Sequence, residues 1–403
     1  MESGRSGSES ERLAEMLEAE FSFVGGGPMY RLQQRLGLIK PGSPYLARRA
    51  ALAVLLTWFP LLVLSLLQGL AIGQEVRIPF LHDLAAYARF LVALPLLILA
   101  EEPIGHHMVK SATQFLRSGL VSERNYPDYE SALARAGRLR DSILVEVVLI
   151  GIACVSVVVV YREFPFNFST WRSFVSDSVH TRTLAGWWHL CVGVPLFQFL
   201  FWRWLWRLFI WYGFLWRLSK LDLQLIPTHP DRAAGLGFVG ETQRSFGIIV
   251  FAFSVAAAGV VGNETVFAGV PFKSYEFPLA GYVVVVLLVF LGPLLIFMPR
   301  LIGAKVKSLH DYSALAVTHN RMFDGKWVQG DNPRDEPVLG TPDITSLANL
   351  GCAFEAVKRM RFFPFDPLDA LFLALLALIP MAPLLLTVLP LGEMIKLVSK
   401  VLF

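Results

Sequence analysis

The chain has 403 residues, of which 55% are hydrophobic and only 17% charged, against roughly 25% charged in soluble domains. A soluble protein of this length needs a charged surface that this composition does not supply, which excludes a soluble enzyme, a disordered chain and a collagen-like one. The formal net charge of +4 is too small to specify a partner, while 13% aromatic residues with ten Trp fit a protein solvated partly by lipid. The expected class is an all-α membrane protein.

In chain order, Met1–Glu20 is rich in Ser and Glu and carries six acids against two arginines. It reads as mostly disordered, with a short helix allowed over Ser10–Glu20. Gly25-Gly26-Gly27-Pro28 ends any such element. No apolar run precedes residue 50, so the start is not a secretory signal peptide. From Phe21 to Arg49 the charges are Arg31, Arg35, Lys40, Arg48 and Arg49, with no acid.

A helix crossing a bilayer needs about 20 mostly apolar residues. Seven stretches qualify: Ala50–Ile72, Leu84–Ala100, Ile143–Val160, Trp187–Leu208, Gly247–Val261, Leu279–Leu301 and Leu368–Leu389. The fourth runs on as an aromatic, Arg-punctuated helix to about Leu218. Cytoplasmic loops retain Lys and Arg. With the amino terminus inside, the inner segments hold 24 basic residues and the outer ones 7. The expected layout is therefore a cytoplasmic arm over 1–49 and a membrane domain over 50–390. Cytoplasmic segments at 101–141, 219–244 and 303–366 pack into a small helical cap, and 391–403 forms an amphipathic tail.

Within the fourth span, Arg203 and Arg207 are four apart and share a helix face. Counted from Trp187, Arg203 lies about 24 Å along the axis, in the inner third of a hydrocarbon core about 30 Å thick. One reading has both heads snorkelling to lipid phosphates beside a Trp belt. The other makes them part of an anion pathway, because ionisable groups inside spans are functional candidates. Glu146 sits about one turn into the third span, and a bare carboxylate facing lipid there is costly. An antiparallel neighbour brings Arg203 and Arg207 to similar depth, so an interhelical pair with Glu146 is expected to be within reach.

Glu101-Glu102-Pro103-Ile104-Gly105-His106-His107 places carboxylates beside imidazoles, but Pro103 and Gly105 weaken a continuous helix and no zinc signature occurs. No metal and no cofactor is expected. Cys154, Cys191 and Cys352 have no CxxC spacing and read as packing thiols.

The loop from Leu221 carries His229-Pro230-Asp231-Arg232, then Gly235, Gly237 and Gly240 at GxGxxG spacing. A dinucleotide fold needs a βαβ unit with an acid about 20 residues on; a membrane span follows instead. What remains is an anion or phosphate loop, in which glycine-rich backbone exposes N–H groups, Arg232 adds charge, and His229 with Asp231 supplies acid–base groups. The bland alternative is a structural turn in which they cap the next helix. In the 303–366 insert, His310 and His319 point to opposite sides of a helix. Thr341-Pro342 starts the next helix, whose Ile344, Leu347, Phe354 and Val357 share one face.

The His229–Gly240 loop, Leu339-Gly340-Thr341-Pro342-Asp343-Ile344-Thr345-Ser346-Leu347 and Arg140-Asp141-Ser142 together resemble a family of bacterial multi-span inner-membrane proteins to which no activity is attached. The resemblance implies a bacterial cytoplasmic membrane and names no catalytic residue. The function expected from the residues is transport or conduction of a small anionic solute, in a lipid bilayer and without nucleic acid. A membrane enzyme acting on a phosphorylated lipid through the 229–240 loop is the first alternative. A scaffold or sensor binding a protein through the 303–366 insert is the second.

Overall fold

A computed structural model describes residues 3–39, 45–73, 75–162, 168–176, 179–329 and 342–385. It is 78% helical. The first elements are α1 (Ser3–Glu20), α2 (Pro28–Arg35) and α3 (Leu46–Leu67), followed by the long α4 (Leu84–Arg117). Then come α5 (Tyr126–Arg140), α6 (Ile143–Arg162) and a two-stranded antiparallel hairpin, β1 (Ser173–Ser176) with β2 (Val179–Arg182). The chain continues with α7 (Leu184–Leu218), α8 (Phe238–Phe267), α9 (Phe272–Phe290), α10 (Met298–Phe323), α11 (Pro342–Arg359) and α12 (Pro367–Leu384).

Among the described residues, helices α3, α4, α7, α8, α9 and α12 are each long and apolar enough to cross a membrane, and α5 with α6, bent by 45° between them, pass the same test of length and composition as a pair. This is an all-α membrane protein. The lipid-facing surfaces are plain in the exposure pattern: Leu144, Val147 and Val155 on α6 and Phe277, Val285 and Leu288 on α9 all point outward. Apolar surface of that extent is stable only against lipid or a partner.

Two spans depart from regular α geometry. Tyr87–Ala93 in α4 and His189–Gly193 in α7 are π-helical, and Pro95 and Pro195 follow each widened turn. A proline has no N–H to give the preceding turn, so the widened turn relieves the ladder where it would break. The two segments meet where the Phe90 ring stands edge-on to the His189 ring at 5.6 Å. Gly193 leaves room for that ring, since a Cβ there would lie 2.8 Å from Phe90.

Several boundaries differ from the sequence expectation. In the Met1–Glu20 segment the helix is longer than the Ser10–Glu20 expected: α1 runs from Ser3, buries Ala14 and Leu17 against the second half of α4, and pairs Glu18 with Arg117 at 2.8 Å. An i, i+3 apolar pair was enough to anchor it. The second span continues to Arg117 rather than ending at Ala100, because Glu101 and its neighbours find partners inside the protein. The sixth span ends at Phe290, where Gly292-Pro293 force a 3₁₀ turn before α10. The insert is mostly a helical hairpin, α10 against α11, in which only Leu301 and Val357 are buried. The three cysteines, expected as packing thiols, are all exposed, Cys154 on the outward side of α6. The 391–403 tail and the Thr341 cap lie outside the described residues.

Candidate functional site

The charged centre of the molecule lies at the end of the bundle where α4 and α7 leave the apolar zone. Here α3 begins, α4 turns at Ala100, and α7 carries its two arginines. Glu101 accepts from Arg49 Nη1 at 2.6 Å through Oε2 and from Arg207 Nη2 at 2.9 Å through Oε1. One carboxylate thus joins α3, α4 and α7. The residues are 7% (Glu101), 6% (Arg49), 3% (Arg207) and 5% (Arg203) exposed. Arg203 and Arg207 are therefore inside the protein, and the snorkelling geometry is not adopted. Burying charge this deeply is costly unless each group is paired and hydrogen-bonded.

The remaining partners come from a strap, residues 22–29, threaded between α4, α6 and α7. Its carbonyls point at guanidinium groups: Ser22 O accepts from Arg140 Nη1, Val24 O from Arg207 Nη2 at 3.1 Å, and Gly26 O from Arg203 Nη2 at 3.5 Å. Its N–H groups point at carboxylates: Gly27 N donates to Asp141 Oδ1 at 2.8 Å and Met29 N to Glu146 Oε2 at 2.7 Å. Only glycine fits the strap. Gly27 has φ +90°, and a Cβ there would fall 2.8 Å from Glu146 Oε1. Arg140 also grips Asp141, with Nη2–Oδ2 at 2.6 Å.

The sequence reading thus needs one correction. Glu146 does not pair with Arg203 or Arg207; its Oε2 takes the strap's Met29 N–H, and Arg207 pairs with Glu101. The strap lies between them and supplies both with backbone partners. The three residues still share a cavity of about 20 Å³ with Gly26 and Arg140, room for about one water. Beside it, bounded by α1, the strap, the start of α3 and α4, is a much larger cavity of 510 Å³. Arg49 and Glu101 lie in its wall with Glu102, His106 and Lys110. Arg49 Nε and Arg207 Nη1 are buried without a hydrogen-bond partner.

The 229–240 loop is organised around one of its own side chains. Asp231 accepts from Ala233 N at 2.8 Å, Gly235 N at 3.2 Å and Gly237 N at 2.8 Å. The N–H groups that would cradle a phosphate are already holding a carboxylate. His229 Nδ1 lies 2.9 Å from Asp231 Oδ1 with the ring half exposed. Burial raises the Asp231 pKa, but the backbone N–H bonds and His229 outweigh it and hold the carboxyl below its ordinary value. Arg232 sits at φ +57°, its carbonyl taking Arg361 N at 2.7 Å. Gly235, at φ +94°, packs on Leu120. At Gly240 a Cβ would lie 2.7 Å from Pro364 O, so that glycine permits close packing of α8 on the segment before α12. The loop has the geometry of the structural alternative: a self-capped turn.

A second polar centre, at the opposite end, was not read from the sequence. Asp83, fully buried, accepts from Ala86 N at 2.9 Å, Trp171 Nε1 at 2.6 Å, Asn263 Nδ2 at 2.8 Å and Arg172 Nη2. It ties the start of α4 to the hairpin and α8. His189 stands nearby, 3% exposed, edge-on to Trp171 at 5.6 Å, with Nδ1 unpartnered. The available signals were single polar residues, Asp83 and Asn263, at the margins of apolar runs.

Compared with known proteins, the chain matches no family model, no curated sequence and no solved structure. The loop resemblance therefore attaches no family to it.

Proposed function

We propose that this protein moves a small anionic solute across a membrane, with the Arg49–Glu101–Arg207 centre and Arg203 as its charged station. The observation that carries the reading is the imbalance at that centre: three buried arginines stand around one buried carboxylate, Arg49 and Glu101 on the wall of a 510 Å³ cavity and Arg203 and Arg207 on the small cavity beside it. Among the described residues Arg203 forms no ion pair, and its hydrogen bond is to the Gly26 carbonyl, which solvates a cation without neutralising it. Two buried guanidinium N–H groups without partners favour a negatively charged visitor. The positive-inside count supports an orientation with the amino terminus and this cavity on the cytoplasmic side.

The test is flux in proteoliposomes loaded with chloride, phosphate or a small dicarboxylate, comparing the natural protein with Arg203→Gln plus Arg207→Gln. Flux above protein-free vesicles, lost in the folded double variant, is expected. Flux of none of the three, or flux indifferent to both arginines, overturns the reading. Phosphate-lipid chemistry at the 229–240 loop is disfavoured, since Asp231 fills its N–H cradle. The scaffold alternative keeps one observation in its favour: the α10–α11 hairpin leaves Leu315, Val317, Met322 and Ile344 exposed.

A further inference from the structure

A second cavity differs from the charged one in every respect. It measures 200 Å³ and lies between α5 and the last turns of α7, next to the arginine centre, with which it shares Ile210. Its walls include Ala136, Leu139 and Phe209, and its floor is Gly213, where a Cβ would meet nothing within 4 Å. The floor is therefore open space reached from the side. Phe209 and Trp216 on its rim are exposed aromatics in the last turns of the candidate span α7. The ionisable lining residues are Arg135 and Arg217 only, and neither forms an ion pair among the described residues. Lys220 Nζ sits 3.5 Å over the Trp216 ring, one turn further along.

An apolar slot open to the bilayer has acyl chains as its solvent, so a chain fills it without a desolvation cost. Two arginines at the slot, with no acid beside them, then set which headgroup follows that chain. Basic pockets between spanning helices near a membrane surface take anionic headgroups, and guanidinium forks match phosphate oxygens bidentately.

We infer that this groove is a binding site for one anionic phospholipid, its chain lying over Gly213 and its phosphate held by Arg135 and Arg217. The site is distinct from the charged centre, since neither Arg49, Glu101, Arg203 nor Arg207 lines it, although Phe214 in its wall packs its ring 5.3 Å from that of Phe23 in the strap. Its structural effect is to fix α5 to the last turns of α7, beyond the stretch that carries Arg203 and Arg207.

The test is native mass spectrometry of the full chain, stripped of lipid in detergent and re-supplied with phosphatidylglycerol or phosphatidylcholine of the same chain length. One retained phosphatidylglycerol is expected, preferred about 30-fold over phosphatidylcholine for two basic contacts. Arg135→Gln plus Arg217→Gln removes the preference. Gly213→Leu removes retention while both arginines remain, because the new side chain takes the place of the acyl chain without striking a neighbour. Equal retention of the two lipids overturns the headgroup assignment, and phosphatidylglycerol retained undiminished by Gly213→Leu overturns the groove. Retention of neither lipid overturns the proposal outright. The arginine pair lies at the surface, so its variant reads the site even where Gly213→Leu fails to fold.

Discussion

Glu101→Gln is the sharpest test of what holds the bundle together. The substitution keeps size and one acceptor oxygen but removes the only negative charge between Arg49 and Arg207. Each contact is worth about 4 kcal/mol of Coulomb attraction at an effective dielectric of 20 and a charge spacing of about 4 Å. Against two such terms stands the relief of not burying the carboxylate, which costs several kcal/mol. The difference, about 3–5 kcal/mol of lost stability, matches the usual cost of orphaning a buried charge. The assay is reversible unfolding of the purified protein by SDS titration. Glu102→Gln, an exposed neighbour on the same cavity with no ion pair among the described residues, serves as the control and should change stability by less than about 0.5 kcal/mol. Adding Arg207→Gln to Glu101→Gln should cost less than the sum of the single changes by about 1–3 kcal/mol, the coupling expected of contacting groups. A loss below about 1 kcal/mol for Glu101→Gln, or strict additivity in the cycle, would refute the claim that this carboxylate ties α3, α4 and α7.

Three further outcomes are expected. Gly27→Ala must place a Cβ at φ +90° and 2.8 Å from Glu146 Oε1; at least ~2 kcal/mol of strain should speed proteolysis of the strap about 30-fold, and wild-type resistance would contradict the fit. Asp231 has a depressed carboxyl pKa, so its contribution is complete above the ordinary value of 3.8 and is lost as pH falls through the lower folded value. Amide exchange at Ala233, Gly235 and Gly237, corrected for intrinsic rate, should be flat from about pH 7 to 5 and rise below about 4, and Asp231→Asn should reproduce the rise at neutral pH. Asp83→Asn leaves Arg172 uncompensated and puts an amide where four donors converge; a loss of about 3–5 kcal/mol is expected, and a melting curve unchanged from wild type would show that the hairpin is held by other contacts.

The spans were legible because each is a long apolar run, and a bilayer demands length and apolarity before anything else. That Arg203 and Arg207 share one continuous helix was legible for the same reason, since both fall within the apolar run of α7. Their partners were not. Whether Arg207 meets Glu146 or Glu101 depends on which helix lies across the seam, and the third element there is a strap containing Gly25-Gly26-Gly27, which in sequence reads as a break. The π-helical turns escaped notice too, because Leu94-Pro95 and Val194-Pro195 signal a disturbance without saying how the backbone absorbs it. At the 229–240 loop the glycine spacing pointed to an anion cradle, and the geometry does hold an anion. The anion is Asp231, a residue of the same loop, and spacing alone cannot distinguish a cradle for a ligand from one already filled.

The strap also bears on why the arginine centre is charged at all. If Arg49, Arg203 and Arg207 served only to join helices, hydrophobic packing of similar volume would serve as well or better, since buried ion pairs seldom repay their desolvation. The chain instead spends the Val24 and Gly26 carbonyls on Arg207 and Arg203, and that of Ser22 on the neighbouring Arg140, which lowers the cost of burying these groups while leaving their charge intact. Its N–H groups go to Asp141 and Glu146, on the other side of the strap, so these acids are occupied rather than drawn onto Arg203. The strap therefore separates the charges it binds. The centre keeps three buried arginines around one buried carboxylate, an arrangement that costs stability and that, under the proposed function, a bound anion would repay.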